Sequence, residues 1–159
     1  MISVTKKFEF ESAHYLENTK LSIEDNLKTF GACSGFRTQF HDPESNTIKY
    51  HGHSYKMEVT VRGKINPETG LLINFSDLKK IVNKHVIDIF DHETLNHVMP
   101  KEYRPCTVEN MLRYITKETR LLGDICDTCG VQGITVANVS SIKIWETESS
   151  FAEWDSSDI

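Results

Sequence analysis

A chain of 159 residues, 38% hydrophobic and 26% charged, has the make-up of one folded domain that can bury a core without disulfides, not of a fibrous or disordered chain. Eighteen Lys and Arg against 23 Asp and Glu leave a formal charge of −5, which argues against a nucleic-acid partner, and no stretch of about 18 apolar residues is available to cross a bilayer. The first twenty residues hold no apolar h-region, so a cytoplasmic location is expected, and Cys33, Cys106, Cys126 and Cys129 read as thiols or ligands rather than as a disulfide framework.

No repeat, low-complexity tract or linker divides the chain, so residues 1–159 read as a single domain. Ser3 to Tyr15 alternates as a strand, with Phe8, Phe10, Ser12 and His14 on one face and Val4 offset from them. Residues 16–49 are polar and irregular apart from a short helix around Ser22 to Phe30, and a stretch this long is more often functional than idle. His51 to Arg62 is the clearest strand: His51, His53, Tyr55, Met57, Val59 and Val61 share one face. Turn signals at Asn66-Pro67 and Thr69-Gly70 predict a hairpin to a further strand at Leu71 to Phe75. A helix should start from Ser76 as N-cap, with Leu78, Ile81, Val82, His85 and Ile89 at helical spacing. A second should start near Thr107, with Val108, Met111, Leu112, Ile115 and Leu122 on its apolar side. Gly123 to Gly133 reads as a loop and Ser141 to Thr147 as a last strand, with Ile142, Ile144 and Glu146 on one face. Strands joined by hairpins with helices grouped together predict an α+β domain on an antiparallel sheet.

Several residues on this scaffold can do chemistry. His51 and His53 project to one strand face about 6.6 Å apart along the chain, and the rings can lean together on a zinc or simply be two hydrogen-bonded histidines. His14, at the end of another inward stripe, can supply a third nitrogen and leave a fourth position open, the arrangement of a catalytic zinc. Asp91-His92 follows the first long helix; the carboxylate can orient the imidazole as a general acid or base, or the pair can merely end the helix. Glu146 ends an apolar stripe, either solvated or matched to a ligand with two parallel donors, such as a 2-amino group beside a ring N–H. Cys33 can be an activated thiol or a bystander. Cys126-x-x-Cys129 reads as a loop feature, with subunit-bridging metal or redox pairing as alternatives, because no second pair of suitable spacing is near.

Taken together, these segments resemble the 6-pyruvoyl-tetrahydropterin synthase and 6-carboxy-tetrahydropterin synthase family. The resemblance rests on Phe8-Glu9-Phe10-Glu11-Ser12-Ala13-His14, Phe30-Gly31-Ala32-Cys33, His51-Gly52-His53-Ser54-Tyr55, Thr69-Gly70 through Asn74-Phe75-Ser76-Asp77-Leu78-Lys79, Asp91-His92-Glu93-Thr94-Leu95-Asn96, Thr107-Val108-Glu109-Asn110 and Trp145-Glu146-Thr147, in the family's order from residue 8 to residue 147. It implies a tunnelling fold: four antiparallel strands with two helices on one side, three subunits closing a twelve-stranded barrel, and two trimers stacking as a homohexamer with active sites between subunits. By position, His14, His51 and His53 correspond to the zinc ligands, Glu146 to the pterin anchor, Thr107 and Glu109 to the same pocket's lining, and Cys33, Asp91 and His92 to the proton-transfer set.

The implied substrate is 7,8-dihydroneopterin triphosphate. The favoured product is 6-carboxy-5,6,7,8-tetrahydropterin, formed with loss of triphosphate and acetaldehyde on the way to 7-deazaguanines such as queuosine; the alternative is 6-pyruvoyl-tetrahydropterin on the way to tetrahydrobiopterin. One departure stands out. The family's cysteine usually lies a few residues before H-G-H, whereas Ser34 to Tyr50 intervene here as an insertion, and Ser45 and Thr47, where a short-spaced cysteine would fall, are not thiols. Cys33 is preferred for its Phe-Gly-x-Cys context, since lengthening a loop costs only about 0.6 kcal/mol per doubling; His41 and Glu44 are the next candidates. From other classes, a catalytically idle zinc- and pterin-binding oligomer and a zinc hydrolase compete, and the hydrolase gives Glu146 no role.

Overall fold

The computed structural model of the chain describes residues 1–36, 48–133 and 137–158. Two long strands set the frame. β1 (Ile2–His14) pairs antiparallel with β2 (His51–Gly63) without a break, from Ile2 opposite Gly63 to His14 opposite His51. β4 (Ala137–Thr147) pairs antiparallel with the other side of β2, and β5 (Ser150–Asp155) with β4. A two-residue β3 (Glu93–Thr94) runs parallel to the end of β1 at Ser12 and Ala13, giving a five-stranded mixed sheet in the order β3-β1-β2-β4-β5. The sheet is open and five-stranded rather than the expected four-stranded antiparallel sheet with two helices: β1, β2, β4 and β5 pair antiparallel, β3 makes it mixed, and more than two helices accompany it.

The two-residue period puts Phe8, Phe10, Ser12 and His14 of β1 and Tyr55, Met57, Val59 and Val61 of β2 on one buried face. Val4, partly buried against the same core, shares this face rather than standing offset from it. Val139 and Ile142 of β4 both point inward although their spacing is odd, because the register slips between Thr60 and Val61 and leaves Ser140 as an extra residue. The helices cover this face, and Phe10 stacks between Tyr55 and Phe90, with centroids 5.1 and 6.0 Å away.

Helix α1 (Ile23–Phe30) is capped by Ser22, whose side chain accepts the Asp25 N–H, and it runs into a 3-10 turn over Gly31–Cys33. Helix α2 (Phe75–Val82) continues through a π turn at Asn83–Ile87 into the short α3 (Asp88–Phe90). After α4 (Leu95–Val98), Thr107 caps α5 (Val108–Lys117) as the sequence predicts, and α6 (Leu121–Val131) leads back to the sheet.

The structure corrects four further expectations. Leu71 to Phe75 is not a strand: the Asn66 N–H donates to Leu71 O and the Gly70 N–H to Asn66 O, so the turn closes on itself and β2 takes β4 as its neighbour instead. The N-cap of α2 is Asn74, whose side chain accepts the Ser76 N–H, not Ser76. Gly123 to Gly133 is not a loop but largely α6, and Leu122 belongs to it; Leu121, Ile125 and Cys129 recur every fourth residue and are buried, and that packing overrides the weak helix propensity of Gly123 and Gly130. β5 is an additional strand, joined to β4 by a tight reversal at Glu148-Ser149.

Candidate metal centre and its surroundings

The paired ends of β1 and β2 bring three imidazoles together. His14 faces His51 across the register, and His53 lies two residues further along the same face. Their candidate ligand nitrogens all lie within 4.8 Å of one another, a group able to hold a metal ion. His14 is fully buried; its Nδ1 lies 2.9 Å from Cys106 O and its Nε2 2.9 Å from His51 Nε2. A carbonyl only accepts, so Nδ1 carries the hydrogen and the Nε2 lone pair of the neutral ring faces the cluster. Burial, the largest influence, lowers the His14 pKa and favours that neutral, metal-ligating form. A ring held by a backbone carbonyl with its other nitrogen presented to the site is the usual outer-shell support of a metal ligand. His53 Nε2 is buried with no hydrogen-bond partner among the described residues, a cost that an ion would remove. On the chemistry of these donors, the three residues fit a divalent cation such as zinc.

Glu146 completes the cluster. One carboxylate oxygen lies 3.3 Å from His14 Nε2 and 3.7 Å from His53 Nε2. The residue falls where the β4–β5 register slips between Trp145 and Thr147, an irregularity of the kind that re-aims side chains beside functional sites. Glu146, with Glu109, Val108 and Phe151, also lines a recess of about 90 Å³. Thr107 adjoins this recess in sequence and its hydroxyl accepts the Asn110 N–H as the α5 cap.

Sequence reasoning missed the neighbour that ties these groups together. Tyr55 is fully buried, 5.6 Å from the His53 ring and 6.3 Å from His14, and its hydroxyl has no hydrogen-bond partner among the described residues. Burial first, then Glu146, Cys106 and Cys33, push that hydroxyl well above its ordinary pKa, so it stays protonated as a donor. Its place in the inward stripe was readable from the sequence; its missing acceptor was not.

Cys33 is half-buried and its backbone reaches this region within the same chain: the Leu16 N–H, two residues beyond His14, donates to Cys33 O at 2.9 Å. His41, Glu44, Ser45 and Thr47 lie outside the described residues.

Asp91 and His92 are not part of the metal-capable group. His92, 80% exposed, contacts Asp91 through Nδ1 at 2.9 Å and adopts φ 60°, unusual for a residue with a side chain. The Glu11 N–H, donated to Asp91, is the chief cause that lowers the Asp91 pKa. His92 lines a 360 Å³ pocket together with Glu11, Ser12, Gly52, Ser54 and His53 of the histidine triad. Cys126 and Cys129 sit on α6, away from the candidate metal centre.

Comparison with known proteins agrees with this geometry. The family described as 6-pyruvoyl tetrahydropterin synthase matches residues 3–157. The human 6-pyruvoyl tetrahydrobiopterin synthase is 31% identical over 146 residues, covering 91% of this chain and 85% of that protein. The 6-carboxy-5,6,7,8-tetrahydropterin synthase of Haemophilus influenzae is 26% identical over 174 residues, covering 97% and 99%. The structure of Caenorhabditis elegans 6-pyruvoyl tetrahydropterin synthase shares the fold, with a TM-score of 0.70 at 24% identity over 97% of this chain and 94% of that one. With the family matched along nearly its whole length, this chain belongs to the 6-pyruvoyl tetrahydropterin synthase family, whose curated members carry both the pyruvoyl and the carboxy names.

Proposed function

We propose that the chain is a zinc-dependent tetrahydropterin synthase that acts on 7,8-dihydroneopterin triphosphate and expels triphosphate. The observation that carries this reading is the His14, His51 and His53 group, with the His14 tautomer fixed by Cys106 O and Glu146 beside it. When bound, zinc supplies a Lewis acid for the side-chain hydroxyls and for charge developing on oxygen. Glu146 accepts the two parallel donors of the pterin ring and fixes its orientation. Cys33 moves the carbon-bound proton, and His92, oriented by Asp91, exchanges a second one. Thr107 and Glu109 border the ring.

His92 is exposed at the edge of the site, which favours sites completed between subunits. A recess of about 90 Å³ beside Glu146 is well below the roughly 300–1,000 Å³ of a typical ligand pocket, so further walls must come from another copy. The outer edge of β1 is covered only at Ser12 and Ala13 among the described residues, and β5 pairs only with β4, so open edges support closure of the sheet with other copies as a homohexamer.

Of the two products, 6-carboxy-tetrahydropterin with release of acetaldehyde is our first reading, supported by the full-length match to the Haemophilus relative. The second, 6-pyruvoyl-tetrahydropterin, is favoured by the higher identity to the human relative. Incubating zinc-loaded protein with dihydroneopterin triphosphate and identifying every product by mass spectrometry separates them. Acetaldehyde and the carboxy compound support the first, a pyruvoyl compound without carbon loss supports the second, and intact substrate contradicts both.

A further inference from the structure

The last part of the outer edge of β1 is met, at every second residue, by one short stretch of chain. The Glu11 N–H donates to an Asp91 carboxylate oxygen at 2.9 Å, and Glu11 O accepts the His92 N–H at 2.6 Å. Two residues on, β3 takes over, with Thr94 in register with Ala13. Two further on, at Tyr15, β3 has already ended, because residues 95–98 turn into α4 and commit their backbone to the helix. Asn96 fills the place with its side chain: Oδ1 accepts the Tyr15 N–H and Nδ2 donates to Tyr15 O, both at 3.0 Å. A side-chain amide carries a donor and an acceptor as a peptide group does, so it can stand in for a neighbouring strand.

His14 lies between the two residues held at Ala13 and Tyr15. Its ring donates from Nδ1 to Cys106 O, and Arg104, two residues before Cys106, donates a guanidinium N–H to Asn96 O. These contacts close a loop from the imidazole through Cys106, Arg104 and Asn96 back to the Tyr15 backbone. Asn96 is 4% exposed, so water competes little for its bonds. Asn is an indifferent helix former, so its place in the first turn of α4 owes more to its amide than to helix propensity.

We propose that Asn96 is a positioning residue for the metal ligand His14, its amide standing in for the strand that β1 lacks at Tyr15. The assignment rests on the reading of His14, His51 and His53 as a metal centre; Asn96 acts through His14 and touches no ion itself. β1 ends at His14, and strand ends open more readily than strand interiors. A ring held only at Nδ1 would swing with that end. Fixing Tyr15 on the outer edge presents the other nitrogen at a preset place, which is what an outer-shell partner does for a metal ligand. The coupling is reciprocal: whatever factor the closed Asn96–Tyr15 pair adds to metal affinity, the metal returns to the closure of that pair.

The test measures zinc affinity of the full chain by competition with a chelator, together with the visible spectrum of cobalt(II)-loaded protein, which follows ligand geometry. Asn96→Ala is expected to weaken zinc binding at least tenfold and to change the cobalt spectrum. Asn26→Ala is the control: Asn26 is as deeply buried and donates to three backbone carbonyls, of Asn18, Leu21 and Ser22, so its loss also destabilises the fold, but it should leave affinity and spectrum unchanged. A wild-type measurement needs no variant and decides alone should Asn96→Ala not fold. Saturating zinc should slow hydrogen exchange of the Tyr15 N–H, which Asn96 holds, at least tenfold more than that of the Asn18 N–H, which Asn26 holds. Zinc binding that needs His53 yet is equal in wild type and Asn96→Ala, with Tyr15 exchange unmoved, overturns the positioning role and leaves the metal centre intact. Equal weakening by Asn96→Ala and Asn26→Ala, with the cobalt spectrum unchanged, marks a general loss of stability and overturns it too. Failure of the wild-type chain to bind zinc overturns the metal centre itself, and the positioning role with it.

Discussion

One end of the sheet carries histidines in opposite circumstances. On the inward face His14 is fully buried, has its tautomer set by Cys106 O and meets His51, His53 and Glu146 within its own chain. His92, by contrast, is 80% exposed and, among the described residues, has Asp91 as its side-chain partner. Burial strips water from His14 and favours a neutral nitrogen that an ion can satisfy, whereas His92 stays in contact with water. The difference teaches that one chain alone gathers a group able to hold a metal, while the proposed proton-transfer pair stands exposed at the mouth of a pocket that His53 also lines.

The sharpest break of this comparison is loss of an inward ligand. His53→Ala should release the metal and lower turnover by more than about 100-fold, since loss of even an outer-shell partner costs about 10–100-fold; metal analysis and kcat check it. Next, Cys33→Ala should keep its metal but lose about 10²–10⁴-fold in kcat, the usual share of a proton-transfer group; unchanged turnover would pass the role to Glu44 or His41. His92→Ala should cost on the order of 10²-fold, again with metal retained. Mixing dissociated Cys33→Ala and His92→Ala subunits should then restore part of the activity, because each mixed assembly can pair an intact cysteine with an intact dyad from another chain; no recovery would place both groups in one chain's site.

Smaller effects concern stability. Tyr55→Phe deletes a buried hydroxyl that lacks an acceptor and keeps the Phe10 stack, so metal-free protein should gain about 1 kcal/mol in denaturant unfolding, whereas a loss would reveal a hidden partner. Least of all, Asp124, held to about 2 chiefly by the His85 hydrogen bond, ties the π turn to α6. Its folded pKa lies below the unfolded value of about 3.9, so its contribution is complete above that value and fades as pH falls towards 2. Asp124→Asn should flatten that part of the acid-unfolding curve.

The sequence made the metal centre more legible than the fold around it. His14, His51 and His53 lie on strands whose two-residue period says which side chains share a face, and the antiparallel register then brings them together. Glu146 was readable as the end of an inward stripe, but the register slip that aims it was not, because an irregularity in pairing depends on the partner strand. Helix α6 was hidden by Gly123 and Gly130, whose local preference gave way to the packing of Leu121, Ile125 and Cys129. Leu72 and Ile73 looked like a strand because they are buried, yet their backbone leads into the Asn74 cap. The buried Tyr55 hydroxyl and Arg104 Nε could be found only in three dimensions, since a missing acceptor leaves no mark in the sequence.

Anomalous diffraction at the zinc edge, from crystals grown with the metal, tests the centre most directly. One peak about 2.0–2.1 Å from a nitrogen of each of His14, His51 and His53 is the predicted result. Rings turned away from one another around an empty gap, with zinc in excess, would contradict it.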